Sequence, residues 1–146
     1  MRRYSLGFVL LFLVCVSCTD IGEDEKYSYR HYISNNTDKV IGIKIHATDI
    51  IEPGQSVDFG ITVSGSGCNP SGVFNISSRD GQVRVIFNDS IEEVHYQLRT
   101  DSGFVNVPSE HNILDVQAWE VDDVKQEATY TIIEEDYQRA LEQSKK

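Results

Sequence analysis

The stretch Val57-Asp-Phe59-Gly-Ile61-Thr-Val63 carries an apolar side chain at every second position, as does Ile41-Gly-Ile43-Lys-Ile45 before it. Successive side chains of a β-strand point to opposite faces of a sheet, so each stretch predicts a strand with one buried and one wet face. Between them, Glu52-Pro53-Gly54-Gln55 predicts a tight turn, because Pro presets the φ of one turn position and Gly tolerates the positive φ of the next. This pattern is typical of antiparallel β structure.

Similar short runs of Val, Ile, Tyr, Phe and Thr continue on both sides, separated by clusters of Gly, Pro, Asn, Asp and Ser. Turns are predicted at 35–38 and 79–82. The regular spacing favours an all-β fold, an antiparallel two-sheet sandwich that is immunoglobulin-like in the loose sense. We predict about seven or eight strands, near residues 27–34, 40–47, 56–63, 73–77, 82–88, 93–99, 113–121 and 129–133.

The end of the sequence has a helical pattern, and we predict a short helix over 134–144. Acidic residues open this segment and Lys145-Lys146 follow it, which suits the helix dipole. Ile133, Tyr137 and Leu141 fall four residues apart, so they form an apolar stripe that can dock on the sheet.

Length and charge limit the functions open to the chain. Its 146 residues allow one domain. The formal net charge is −10, and cleavage after residue 17 would remove two of the 13 basic residues and no acidic one, leaving −12. Such a surface repels phosphate backbones, so we expect no nucleic-acid partner.

The first residues have the pattern of a signal peptide. Arg2 and Arg3 precede an apolar run over 6–16, which is too short for the roughly 20 residues that span a bilayer. Cys15-Val16-Ser17-Cys18 resembles a bacterial lipobox, which implies a signal peptide at 1–17 and a lipid on Cys18. Cys15 fits the box less well, since Val14 would precede it. Residues 18–26 then form an acidic tether, and 27–146 form the domain.

The tether and three longer motifs carry further resemblances. Thr19 is not the aspartate of inner-membrane retention, so we predict an outer-membrane lipoprotein. The acidic tether resembles the export signal of Bacteroidetes surface lipoproteins, which favours exposure at the cell surface, with a periplasm-facing orientation as the alternative. The motifs are similar to those of small uncharacterised lipoproteins of Bacteroidales, a resemblance that implies compartment and fold but no activity. They are Tyr29-Arg-His-Tyr-Ile-Ser-Asn-Asn-Thr37, Ile86-Phe-Asn-Asp-Ser90 and Tyr130-Thr-Ile-Ile-Glu-Glu-Asp-Tyr137.

The sequence contains no recognisable catalytic or metal-binding pattern. His46, His95 and His111 are scattered, and no serine has a Gly-x-Ser-x-Gly setting, so a hydrolase triad is not predicted. Asp101 and Asp122-Asp123 lack the alternating oxygen ligands of a calcium loop. We therefore expect no enzyme activity, no metal and no cofactor.

Two side chains are candidates for modification. Cys68 is the odd cysteine once Cys18 is lipidated, and it forms either an intermolecular disulfide or a small buried apolar side chain. Asp89-Ser90-Ile91 resembles the acceptor of Bacteroidetes protein O-glycosylation, which implies a sugar on Ser90.

The aromatic side chains are mainly candidates for core packing, although they could also stack on sugars or on a partner. The sequence thus favours a lipid-anchored, non-enzymatic interaction or accessory module with a protein or glycan partner. Two alternatives are a surface carbohydrate-binding lipoprotein and a protein inhibitor that uses a loop over 64–71. The aromatic candidates are Tyr27, Tyr29, Tyr32, Tyr96, Trp119 and Tyr130, of which the first two share a face of the first strand.

Overall fold

Nine strands and two short helices make up the part of the chain that the structure describes. The structure is a computed structural model, and it describes residues 26–45, 48–65, 67–74 and 81–145. The strands are β1 (Tyr27–Asn35), β2 (Ile41–Lys44), β3 (Thr48–Ile51), β4 (Ser56–Ser64), β5 (Gln82–Phe87), β6 (Ile91–Thr100), β7 (Gly103–Val107), β8 (Glu120–Asp122) and β9 (Glu127–Ile132). The helices are α1 (Pro70–Val73) and α2 (Glu134–Gln143), and a 3-10 turn covers Val116–Ala118.

The strands form two sheets that pack face to face, as the predicted β-sandwich requires. One sheet has the order β4-β1-β9-β8 and the other β3-β2-β5-β6-β7. Six strand pairings are antiparallel, and β1 pairs with β9 in parallel, which the sequence did not suggest. The core between the sheets is apolar, with fully buried side chains that include Ile33, Ile41, Ile43, Ile51, Val83, Phe87 and Ile113.

The alternation of buried and exposed side chains predicted for 57–63 is interrupted in strand β4. The register of β1 and β4 shifts between His31 and Tyr32, opposite Gly60, whose φ is +102°. A bulge of this kind moves the following residues to the other face of the sheet. Phe59 therefore packs on the core, while Ile61 and Val63 are 56% and 64% exposed.

Two predicted strands are wrong where the structure describes them. The segment predicted at 73–77 begins in helix α1, because Asn69 caps that helix and Pro70 opens it. Residues 75–80 lie outside the described part, as does half of the turn predicted at 79–82. The segment predicted at 113–121 is a loop with the 3-10 turn, and only Glu120–Asp122 pairs as a strand. Strands β3 and β7 were not predicted.

The turn predicted at 52–55 and the predicted C-terminal helix are present. Gly54 has a φ of +73°, and the N–H of Gln55 donates to the carbonyl of Glu52 at 3.0 Å, although this turn joins β3 to β4. In helix α2 the most deeply buried residues are Asp136 and Ala140 and not the predicted stripe of Ile133, Tyr137 and Leu141. Of that stripe, Tyr137 packs on the core. Neither described helix has the length and apolar character needed to cross a membrane. The predicted signal peptide and nearly all of the tether lie outside the described residues.

Candidate binding cleft

A cleft of about 580 Å³ opens at one end of the four-stranded sheet. It lies where β1 begins, β4 ends and the turn between β8 and β9 reverses the chain. Three segments therefore supply its walls: the start of β1, the connection after β4, and the β8–β9 turn. The lining residues are Tyr27, Tyr29, Gly65, Gly67, Asp123 and Gln126.

The β8–β9 turn is held in shape by its own hydrogen bonds. The side chain of Asp122 accepts from the backbone N–H groups of Val124 and Lys125, each at 3.1 Å. These bonds, with that of Lys125 first, lower the pKa of the Asp122 carboxyl. Gln126 has a φ of +55°, and its carbonyl accepts from the N–H of Arg30 at 2.9 Å, which ties the turn to β1. The turn thus fixes Asp123 and Gln126 beside the two tyrosines.

A short hydrogen bond joins two walls of the cleft. The hydroxyl of Tyr29 donates to Oδ1 of Asp123 at 2.5 Å. This bond, together with burial and the charge of the carboxylate, raises the pKa of Tyr29 to about 12. Tyr29 therefore stays a neutral donor at physiological pH, while Tyr27, which also lines the cleft, is 37% exposed.

Gly65 and Gly67 form one wall of the cleft, which we call the glycine wall. Cys68 follows this wall in the chain and contacts a buried histidine. Its Sγ lies 3.5 Å from Nε2 of His31, which is fully buried and meets Trp119 edge to face. Burial, and then the charge of Asp123, raises the pKa of the Cys68 thiol, and burial lowers the pKa of His31. Both groups are therefore neutral. Within the described part of this single chain Cys68 is a free, half-buried thiol, and the choice between an intermolecular disulfide and a buried apolar side chain stays a prediction.

A second polar cluster, which the sequence did not reveal, lies between helix α2 and β6. Glu93 is fully buried, and Nε and Nη2 of Arg139 donate to its two carboxylate oxygens. Arg139 also donates to Asp136, whose carboxylate contacts Nδ1 of His111 at 2.7 Å. Burial opposes ionisation of Asp136, but the bonds from His111, the Ile133 N–H and Arg139 outweigh it and lower the pKa of Asp136.

His95 completes this cluster on the β6 side. Its Nδ1 accepts from the N–H of Ile113 at 3.1 Å, so its proton is on Nε2, which donates to Glu93 at 3.1 Å. Tyr130 donates to the carbonyl of His111 at 2.8 Å. The polar cluster therefore fixes α2 and the 108–115 loop on the sandwich through the bonds of Glu93, His95, Asp136 and Arg139.

The predicted site residues are spread over the molecule. Ser90 is exposed in the turn between β5 and β6, where Asn88 and Asp89 have φ values of 48° and 58°. Cys18 and His46 lie outside the described residues. Asp101 lies in the β6–β7 turn of the other sheet, away from the Asp122–Asp123 pair. Within the described ranges, no three His, Cys, Asp or Glu side chains are placed to hold a metal ion.

The aromatic candidates separate into three groups. Tyr130 and Trp119 are buried in the core, and the indole N–H of Trp119 donates to the carbonyl of Ile113 at 2.9 Å. Tyr32 and Tyr96 are half-buried on the outer faces of their sheets. Tyr27 and Tyr29 share a face, as predicted, and they line the cleft.

The cleft could be predicted only in part. The shared face of Tyr27 and Tyr29 was visible in the alternation of β1, but Asp123 and Gln126 reach them through the parallel pairing of β1 with β9. The geometry therefore defines the class of the protein: it is a two-sheet β-sandwich with a polar and aromatic cleft at one end. The chain matches no protein-family model, no curated protein and no solved structure.

Proposed function

We propose that this chain is a lipid-anchored lipoprotein of the outer membrane, exposed at the cell surface, whose sandwich acts as a non-enzymatic interaction module. The lipid expected on Cys18 provides the anchor, and residues 18–26 separate it from the domain. Each buried methylene contributes about 0.8 kcal/mol, so two or more acyl chains give durable attachment without any protein contact to the bilayer.

The cleft is the observation that carries the binding role. It is open to solvent, and it combines an exposed aromatic ring with a carboxylate and an amide, the mixture typical of small-molecule and partner sites. The Tyr29–Asp123 bond positions the carboxylate, and the β8–β9 turn fixes the backbone of Gln126, so little order of the main chain has to be gained on binding.

The ionisable side chains support binding rather than catalysis. An enzymatic cysteine needs a lowered pKa, whereas burial raises that of Cys68. Both ring nitrogens of His95 are engaged in structural bonds, and His111 is held by Asp136. His95 therefore has no free ring nitrogen for acid–base catalysis, and the Nδ1 bond of His111 contributes to the packing of α2.

The alternative of a protein inhibitor needs a loop that projects into another protein. In the described part of 64–71, Gly65 and Gly67 line the cleft, Cys68 contacts His31, and Pro70 is buried. This segment packs on its own domain, which favours capture of a ligand in the cleft over insertion of the loop elsewhere.

Intact mass of the protein recovered from native membranes tests the anchor. We expect a diacylglyceryl group and an added acyl chain on the wild type and on the matched control Cys15→Ala, and no such addition on Cys18→Ala. Protease treatment of intact cells should then degrade the wild-type domain if it faces outward. A wild-type protein that is cleaved without acylation, or not cleaved at all, would contradict the proposal.

A further inference from the structure

We infer that the ligand of the cleft is a neutral saccharide. Its ring stacks on Tyr27, and its hydroxyls donate hydrogen bonds to Asp123 and Gln126. This inference names the ligand class of the binding role proposed above and rests on that role. Four features of the cleft carry it: its charge, its exposed ring, its volume and its open glycine wall.

The charge of the cleft disfavours an anionic ligand. Among the described lining residues, Asp123 is the only acidic side chain and none is Lys or Arg. An anion would meet the carboxylate of Asp123 in a chain whose net charge is already −10. Phosphorylated, sulfated and carboxylated ligands are therefore disfavoured, whereas neutral hydroxyl groups are suitable donors to the carboxylate.

The arrangement of polar and apolar groups matches a sugar ring. One face of a pyranose presents C–H groups that pack on an aromatic ring, while its rim presents hydroxyls that both donate and accept. Tyr27 offers the ring, and the Gln126 amide offers both a donor and an acceptor. The carboxylate of Asp123 receives one bond from Tyr29 and has lone pairs for further donors, since a carboxylate can accept about four.

The volume and the glycine wall leave room for more than one ring. About 580 Å³ lies within the range of small-molecule sites, roughly 300–1,000 Å³. A Cβ added at Gly65 or Gly67 would meet no atom of the described residues within 4 Å, chain neighbours apart, so there is room for a ligand along the glycine wall. A short oligosaccharide can therefore extend from Tyr27 past this wall.

The glycine wall also provides a variant that blocks the cleft without disturbing the fold. The φ of Gly67 is +94°, so a side chain there would be strained, but Gly65 has no such constraint. Gly65→Leu should fill the cleft, and Tyr27→Ala should remove the stacking ring. Tyr32→Ala is the matched control, because Tyr32 lies on the same strand and points to the other face of the sheet.

The test is a binding titration with the acylated full-length protein, held in a detergent whose headgroup is not a sugar. The probes are neutral trisaccharides of glucose, mannose, xylose and N-acetylglucosamine, with spermidine as a cationic probe and a sulfated trisaccharide as an anionic one. Ligand-observed NMR detects millimolar binding, and calorimetry then gives the affinity at low and high salt.

We expect at least one neutral trisaccharide to bind with little salt dependence, and to bind at least about tenfold more weakly to Tyr27→Ala and Gly65→Leu but equally to Tyr32→Ala. The inference is overturned if no neutral trisaccharide binds at millimolar concentration, if the two cleft variants bind as well as the wild type, or if only spermidine binds and salt abolishes it. Such a failure beside normal acylation of Cys18 would reject the ligand class alone, while loss of acylation would reject the anchored-lipoprotein proposal independently.

Discussion

Replacing Arg139 by Met should destabilise the domain by about 3–5 kcal/mol, because it leaves the carboxylate of Glu93 buried without its partner. Glu93 has no exposed side-chain surface, and Arg139 is 21% exposed in this pair. The substitution keeps most of the side-chain volume while it removes both bonds to Glu93 and the bond to Asp136. His95 alone would then face the buried charge.

The exposed ion pair between Arg84 and Glu92 is a matched control. Its partners are 43% and 46% exposed, so Arg84→Met should cost no more than about 1 kcal/mol. The double variant Arg139→Met with Glu93→Leu should recover much of the lost stability, since an apolar pair carries no desolvation penalty. Recovery of this kind would separate the effect of the stranded charge from that of lost packing.

Urea unfolding followed by tryptophan fluorescence measures these differences. Trp119 is the single tryptophan and is buried beside Tyr130, so its emission reports directly on the core. The slope of the transition should stay constant while its midpoint moves. Equal losses for Arg139→Met and Arg84→Met, both below about 1 kcal/mol, would refute the view that the polar cluster holds α2 in place.

Four other outcomes are expected. The lowered pKa of Asp136 adds stability above the unfolded carboxyl value of about 3.9, which is lost as the pH falls below it, so the urea midpoint of Asp136→Asn should depend less on pH in that range. Because burial raises the pKa of Cys68, iodoacetamide should alkylate it far more slowly in the folded than in the urea-unfolded protein, and a non-reducing gel should show monomer. Phe59→Ala should cost about 2 kcal/mol or more, whereas Ile61→Ala on the exposed side of the bulge should cost at most about 0.5 kcal/mol. If Ser90 carries a sugar, the native protein should exceed the mass of its acylated chain, and Ser90→Ala should remove the excess; an unchanged mass would reject this site.

The sandwich could be predicted because most strands show a simple alternation over an apolar core. The prediction failed where a β-bulge reversed the alternation of inward and outward side chains along a strand. This happens at Gly60, after which Ile61 and Val63 face outward. It also failed at 113–121, where the apolar residues lie in a loop. Trp119 is buried there, although only the end of this segment forms hydrogen bonds with another strand. Burial alone does not distinguish a strand from a loop that is fixed by side-chain bonds.

The two polar sites depended on contacts between distant parts of the chain. Glu93 and His95 occupy alternate positions of β6, and only the register with β5 makes that face the buried one. Their partner Arg139 lies 46 residues beyond Glu93, on a helix whose apolar stripe predicts docking on the sheet but not which polar side chains it meets there. Asp123 meets Tyr29 for a similar reason, since the contact needs β9 to lie beside β1.

The parallel pairing of β1 with β9 has a consequence for how the chain folds. These strands come from opposite ends of the described sequence, and they are the two central strands of their sheet. A chain that emerges N-terminus first cannot complete this sheet until its last strand is free, and such long-range pairing makes folding slow. The nascent protein therefore remains unfolded for longer, as the export proposed above would require. Loss of β9 by a premature stop would leave β1 with an unpaired edge, and the shortened chain would be prone to aggregate.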